Sequence, residues 1–241
     1  MMRSGNPALK GEAFRNTRSF EATNIMTIQG AVNKTLVSLG IAVLGAWWAW
    51  SNVKLSSQIV LPAAILGFII AIITIFKKEW APVTTPVYSL VEGVLLGGVS
   101  LMFEAAYPGI VIQAITLTFG ILFCLLIAYK SRLIKVTENF KLGVIAATGG
   151  IALIYIISFI MGFFGARIPF IHEGGLIGIL FSLFVVVIAS LNLVLDFDFI
   201  ERGAEYGAPR YMEWYAAFSL ILTLVWLYLE ILRLLAKTRS R

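Results

Sequence analysis

LIGILFSLFVVVIASLNLVLDFDFIERG, residues 176–203, decides what kind of protein this is. From Leu176 to Leu195 it carries no charge, and a helix needs ~20 mostly apolar residues to cross ~30 Å of hydrocarbon. The run is apolar on all sides rather than striped, as a helix facing both lipid and neighbouring helices must be. Near its end, Asn192, Asp196 and Asp198 stand where the pattern predicts Leu or Val. Those carboxylates are either the wet end of a membrane helix or charges held inside it.

Six other stretches share the character of 176–200: residues 35–51, 59–76, 87–106, 110–129, 140–164 and 212–235. They are separated by KKEWAPVTTP, YPG, YKSRLIKVTENFK, ARIPFIHEGG and ERGAEYGAPR, where Pro and Gly end helices or tighten turns. The expected fold is an all-α membrane protein, a seven-transmembrane-helix bundle over residues 34–241 behind a polar, basic leader over 1–33. Composition agrees. Of 241 residues 59% are hydrophobic and 13% charged, about half the charged share of a soluble domain. No short apolar core with a small-residue cleavage site precedes the first span near Thr35, so no signal peptide is expected. The lone Cys124 excludes an intramolecular disulfide. Glycines recur inside spans (Gly93, Gly97 and Gly98; Gly149 and Gly150), allowing helices to approach closely.

The net charge of +6 does not read as a nucleic-acid surface, because the bases sit in short loops between apolar runs. The leader and the even-numbered loops hold 13 of the 19 Lys and Arg residues. The opposite side holds six, four of them from Arg233 onward. This bias predicts a cytoplasmic N-terminus. The basic tail pulls the other way, and a half-inserted last segment that keeps the tail inside is the alternative.

Ionisable residues inside a span cost ~2.5–3.5 kcal/mol at its centre and usually face the bundle interior. With the N-terminus inside, Glu92, Asp196, Asp198 and Glu213 fall toward the cytoplasmic ends of spans three, six and seven, at one level with Lys77 and Lys78. Glu92 is expected about a turn and a half into its helix. Glu104, Glu230 and Arg233 fall on the far side, the last two able to pair three residues apart. Residues two apart on a helix point ~200° apart, so the two aspartates face different surroundings. Asp196 shares a face with Asn192 and Ile200; Asp198 shares one with Glu201 and Arg202 and reads as solvated. Two readings of Asp196 stay open: interfacial, or buried if the sixth helix continues to about Gly203. The last span carries Tyr215, Ser219, Thr223, Trp226 and Glu230 at helical spacing. Its hydroxyls are expected to bond the carbonyls of the preceding turn, common in membrane helices.

Three stretches, VYSLVEGVLLGGVS (87–100), LDFDFI (195–200) and AAFSLILTLVWLYLEILRLL (216–235), together resemble the transmembrane Bax inhibitor motif family, specifically its bacterial members. The leader, with SGNPAL, resembles the longer bacterial branch. The resemblance implies a seven-helix bundle with the last helix near its centre, in the bacterial cytoplasmic membrane. It also implies a pH-governed calcium leak, in which one aspartate on the sixth helix and one on the seventh share protons. Asp196 falls on the first position, Asp198 on a neighbouring amide position and Arg233 on a near-terminal arginine. The second aspartate's position, ten residues before Arg233, is Thr223, so the pair is absent. Glu92 is the candidate second carboxylate, and Lys77 and Lys78 are candidates for a basic latch.

A carboxyl taken out of water resists ionisation, a second acid adds to that resistance, and strongly interacting acids titrate as a pair. Deprotonation adds repulsion and offers hard oxygen ligands to Ca²⁺, with Asp196 as the transient ligand. No resident cofactor is expected; Ca²⁺ is the expected permeant ion. The second hypothesis is a non-conducting regulator docked on a membrane-bound protease or other membrane proteins, suggested by some bacterial relatives. An enzyme is not expected. His172 is the single histidine, which excludes a multi-histidine metal centre, and the sequence has neither HExxH nor Gly-x-Gly-Asp. Trp47, Trp48, Trp50, Trp80 and Trp214, near span ends, read as interfacial belts.

Overall fold

The computed structural model describes residues 24–164 and 175–240. The leader up to residue 23, with its SGNPAL stretch, Arg167 and His172 lie outside the described residues. Seven helices there are long and apolar enough to cross a membrane. They are α1 (Ile28–Ser51), α2 (Val53–Phe76), α3 (Ala81–Ala106), α4 (Ile110–Lys130), α5 (Glu138–Phe163), α6 (Leu176–Glu205) and α7 (Met212–Arg239). Among the described residues there is no strand, only an isolated bridge between Ile25 and Pro209.

Local chemistry sets the helix ends. Thr27 accepts the Gly30 N–H at 2.9 Å and Thr137 that of Phe140 at 3.2 Å, so both are side-chain N-caps for α1 and α5. Gly109 turns the chain into α4 with φ of 81°, a left-handed conformation that glycine adopts without strain. Three helices begin well ahead of the expected spans: α1 at Ile28, α2 at Val53 and α3 at Ala81. The polar Gln29, Asn33 and Lys34 are helical in α1, because the Thr27 cap starts the helix ahead of its apolar stretch. In α3, a single 3₁₀ turn over Lys78–Trp80 leads into a first turn that tolerates Pro.

The chain crosses from one face of the bundle to the other with each helix. Met26 N donates to Ala208 O at 2.7 Å and Arg210 N to Asn24 O at 2.8 Å, placing the described N-terminal end beside the α6–α7 turn. This is the N face. At the opposite C face, Arg239 Nη1 donates to Pro108 O at 2.8 Å in the α3–α4 turn. The ends at 24 and 240 therefore lie on opposite faces. The half-inserted last segment is overturned: α7 runs unbroken for 28 residues, ~42 Å, from one face to the other.

α7 is the centre of the bundle. In its most apolar stretch 61% of the residues are buried, against 11% for α5, and it packs on α1, α3, α4 and α6. Leu193 of α6 and Leu227, Ile231 and Leu232 of α7 anchor the main apolar cluster. On the other side Phe218 and Ile221 of α7 meet Ile70 of α2 and Tyr88 of α3, whose ring lies edge-on to Phe218 at 4.9 Å. α1 and α3 touch backbone to backbone: a Cβ on Gly93 would collide with the Ala42 carbonyl, and one on Gly97 would lie 2.5 Å from Ala46 O. The outside is a continuous apolar surface, with Phe68, Leu153 and Ile177 each more than half exposed. Water does not tolerate such a surface, but lipid requires it.

A buried carboxyl between the last two helices

Asp196 sits in the N-face half of α6, about nine residues before its end, or ~13 Å along the axis. Because α6 continues past Gly203 to Glu205, the residue lies inside the bundle and is 8% exposed. Ser219 of α7 donates its hydroxyl to Oδ1 at 2.6 Å. The other oxygen, Oδ2, is buried without a hydrogen-bond partner. Thr223, one turn further along α7, lies beside the carboxyl, with its hydroxyl donating to Ser219 O at 3.1 Å. Among the described residues no ion pair reaches Asp196. Of the two hydroxyls in the α7 stripe, Thr223 does what a membrane threonine ordinarily does, whereas Ser219 reaches across to the acid.

The other expected site residues are not gathered here. Asn192 donates to Thr148 Oγ1 at 2.8 Å and to Ile188 O at 2.9 Å, tying α6 to α5. Glu92 is buried, but against Gly67 of α2 and beside Tyr88; its Oε2 has no partner and no bond joins it to Asp196. It also lies deeper than expected, about eleven residues into α3, because that helix starts at Ala81. Lys77 and Lys78 do not approach the acid either. Lys77 lies over the Trp80 ring at 4.5 Å and Lys78 over Tyr215 at 5.3 Å, both exposed at the N face.

Asp198 requires a correction. It is not on a solvated face: it is 8% exposed, held by Lys141 at 2.8 Å and Arg202 at 2.9 Å. The α4–α5 connection folds over this end of α6, where Arg132 also pairs with Glu201 at 2.7 Å and Tyr129 bonds the same carboxylate. Lys141 lies in the first turn of a different helix, so nothing in the periodicity of α6 could have shown it. Beside this cluster Glu213 is paired with Lys34 and accepts the Thr27 N–H at 2.9 Å. Its carboxyl occupies the space a Gly30 side chain would fill.

Across the bundle, Glu230 accepts from Arg233 at 2.7 Å, the expected pairing along one helix, and from Tyr155 of α5 at 2.8 Å. Lys237 is buried, donating to Ser182 Oγ at 2.8 Å and Gly178 O at 3.1 Å. Glu104 accepts the Gly109 and Val111 N–H groups at the start of α4. Tyr155 and Lys141 of α5 and Ser182 of α6 each lie on a different helix from the residue they meet, and apolar spans carry no signal of which neighbours they meet. Among the described residues no group of three or more His, Cys, Asp or Glu side chains converges as a metal site. A cation at Asp196 would meet one carboxyl and the two nearby hydroxyls, Ser219 and Thr223.

These features define a polytopic membrane protein with a single acid enclosed between its sixth helix and its central seventh. A family model, Bax inhibitor 1 like, matches residues 6–240, and the chain belongs to that family. No curated protein matches it at a meaningful level of similarity.

Proposed function

We propose that this protein is a pH-sensitive calcium leak of a bacterial cytoplasmic membrane, with Asp196 as the proton-operated group. The observation that carries the reading is the asymmetric setting of that carboxyl: Oδ1 takes the Ser219 hydroxyl, and among the described residues Oδ2 is buried and unpartnered and no ion pair reaches the group. Protonated, the group is neutral and α6 and α7 stay packed. Deprotonated, it holds a charge with one oxygen unsolvated, and the bundle gains by admitting water or a cation there. Ca²⁺ is suited to that place because it prefers hard oxygen ligands.

Two ion pairs lie toward the N-face end of the bundle, Lys34 with Glu213 and Lys141 with Asp198. In this reading they take the part of the latch, since Lys77 and Lys78 stand apart from the acid. Among the described residues the N face holds nine of the 13 Lys and Arg residues, and it is assigned to the cytoplasm. Thr223 makes the switch a one-proton device where an acid would make a coupled pair.

The experiment is ⁴⁵Ca²⁺ uptake into liposomes holding the full chain, measured at several pH values beside Asp196→Asn. Uptake by the wild type that rises with pH, and a flat response from the variant, support the reading. Equal uptake by both at every pH removes Asp196 from it. No uptake at any pH, with capture of a membrane-bound protease by the same preparation, gives the non-conducting regulator instead.

A further inference from the structure

A cavity of about 330 Å³ opens between α1 and α4 in the C-face half of the bundle and reaches inward to α7. Its mouth is formed by Val43, Trp47 and Ile115, all exposed on the lipid-facing surface. Its inner wall includes Leu224 and Tyr228 of the central helix. The wall hydroxyls are already satisfied: Ser100 and Tyr228 bond each other at 2.7 Å, and Thr118 donates to Ala114 O at 2.7 Å. The space therefore asks for no polar atom, and a water inside would lack the two to four polar partners it needs.

Its dimensions select the occupant. Along α1 the lining runs from Leu39 to Trp50, ~16 Å at 1.5 Å per residue, which is close to half of a ~30 Å hydrocarbon core. Drawn out over that length, and with the ~1.4 Å radius of a water-sized sphere added on each side, the volume describes a groove ~8 Å between its walls, narrower than the 10–12 Å width of a helix with side chains. A transmembrane helix of a partner or of a second copy is too wide, and would also continue through the other leaflet. Trp47 and Trp50 lie within two turns of the end of α1, at the level where tryptophan marks the headgroup boundary.

We infer that the groove between α1 and α4 is a binding site for one acyl chain of a phospholipid in the C-face leaflet, its headgroup at Trp47 and Trp50 and its methyl end against α7. The site lies on the face of α7 that carries Ile221, Leu224 and Tyr228, away from the Ser219 side that meets Asp196. It does not rest on the leak reading, and its test reads lipid rather than flux.

The full chain is reconstituted in phosphatidylcholine–phosphatidylglycerol vesicles doped with a phosphatidylcholine bearing a photoactivatable diazirine in mid-chain, and labelled peptides are mapped by mass spectrometry. Labelling concentrated on the groove residues of α1, α4 and α7 is expected. In the mouth-closing variant Val43→Trp/Ile115→Trp that labelling falls at least fivefold, whereas Leu153→Trp on the open surface of α5 leaves it unchanged. Labelling that follows surface exposure around the whole perimeter overturns the inference. So does groove labelling indifferent to the mouth variant, or protein-to-protein crosslinks through the groove.

Discussion

Ser219 of α7 holds one oxygen of Asp196 of α6 at 2.6 Å, while the second oxygen is enclosed and has no hydrogen-bond partner among the described residues. In the N-face half of the bundle the sixth helix and the central seventh are thus joined through a hydroxyl whose partner is an acid. A donor to a charged group is worth ~1.5–3 kcal/mol, and removing it leaves the ion with the neighbouring Thr223 hydroxyl alone. Ser219→Ala is expected to move the curve of Ca²⁺ uptake against pH toward higher pH by about one unit, with the maximal uptake retained. Stopped-flow dye measurements in liposomes over a pH series check this; an unmoved curve means that Ser219 only packs.

Thr223 makes a second test of the same site from the opposite direction. Thr223→Asp places a carboxyl beside Asp196, and two acids that close titrate as a coupled pair. The expected result is a pH response spread over two steps, or steeper than the roughly one-proton dependence of the wild type. A response of unchanged shape would show that position 223 is outside the switch.

At the N face, Glu213 is 3% exposed and depends on Lys34 and the Thr27 cap. Lys34→Met leaves that carboxylate uncompensated and is expected to lower stability by ~3–5 kcal/mol, whereas Lys34→Met/Glu213→Leu costs much less because no orphan charge remains. Unfolding in detergent, followed as a double-mutant cycle, reads the difference; additive losses would show that the pair is not coupled.

Two glycines separate close packing from mere helix composition. Gly93→Ala drives a methyl group into the Ala42 carbonyl of α1 and is expected to cost at least ~1–3 kcal/mol. Gly143→Ala, in α5, meets nothing within 4 Å and should be neutral or stabilising by up to ~1 kcal/mol. Thermal unfolding of the two variants side by side decides it, and equal behaviour would refute the tight α1–α3 approach.

Much of this molecule was legible in its sequence because a bilayer imposes a simple rule. A crossing segment must be long, apolar and helical, so seven such runs in 241 residues predict seven helices without any knowledge of their neighbours. The same rule made Asp196 conspicuous, since an acid there has a cost that a surface acid does not. The Glu230–Arg233 pair was legible too, because its three-residue spacing lies on one helix.

What the tertiary structure alone decided was which polar groups meet. Asp198 was read as solvated from its own helix face, yet Lys141 from α5 and Arg202 enclose it. Glu92 and Lys77 are expected at the membrane level of Asp196, yet they face α2 and Trp80 instead. The reason is physical: apolar helices have no one-sided stripe to fix their rotation, so side-chain shape and glycine contacts such as Gly93 against Ala42 set it. Sequence determined how many times the chain crosses and where its charges are costly; packing determined that Asp196 faces Ser219 and, among the described residues, no ion-pair partner.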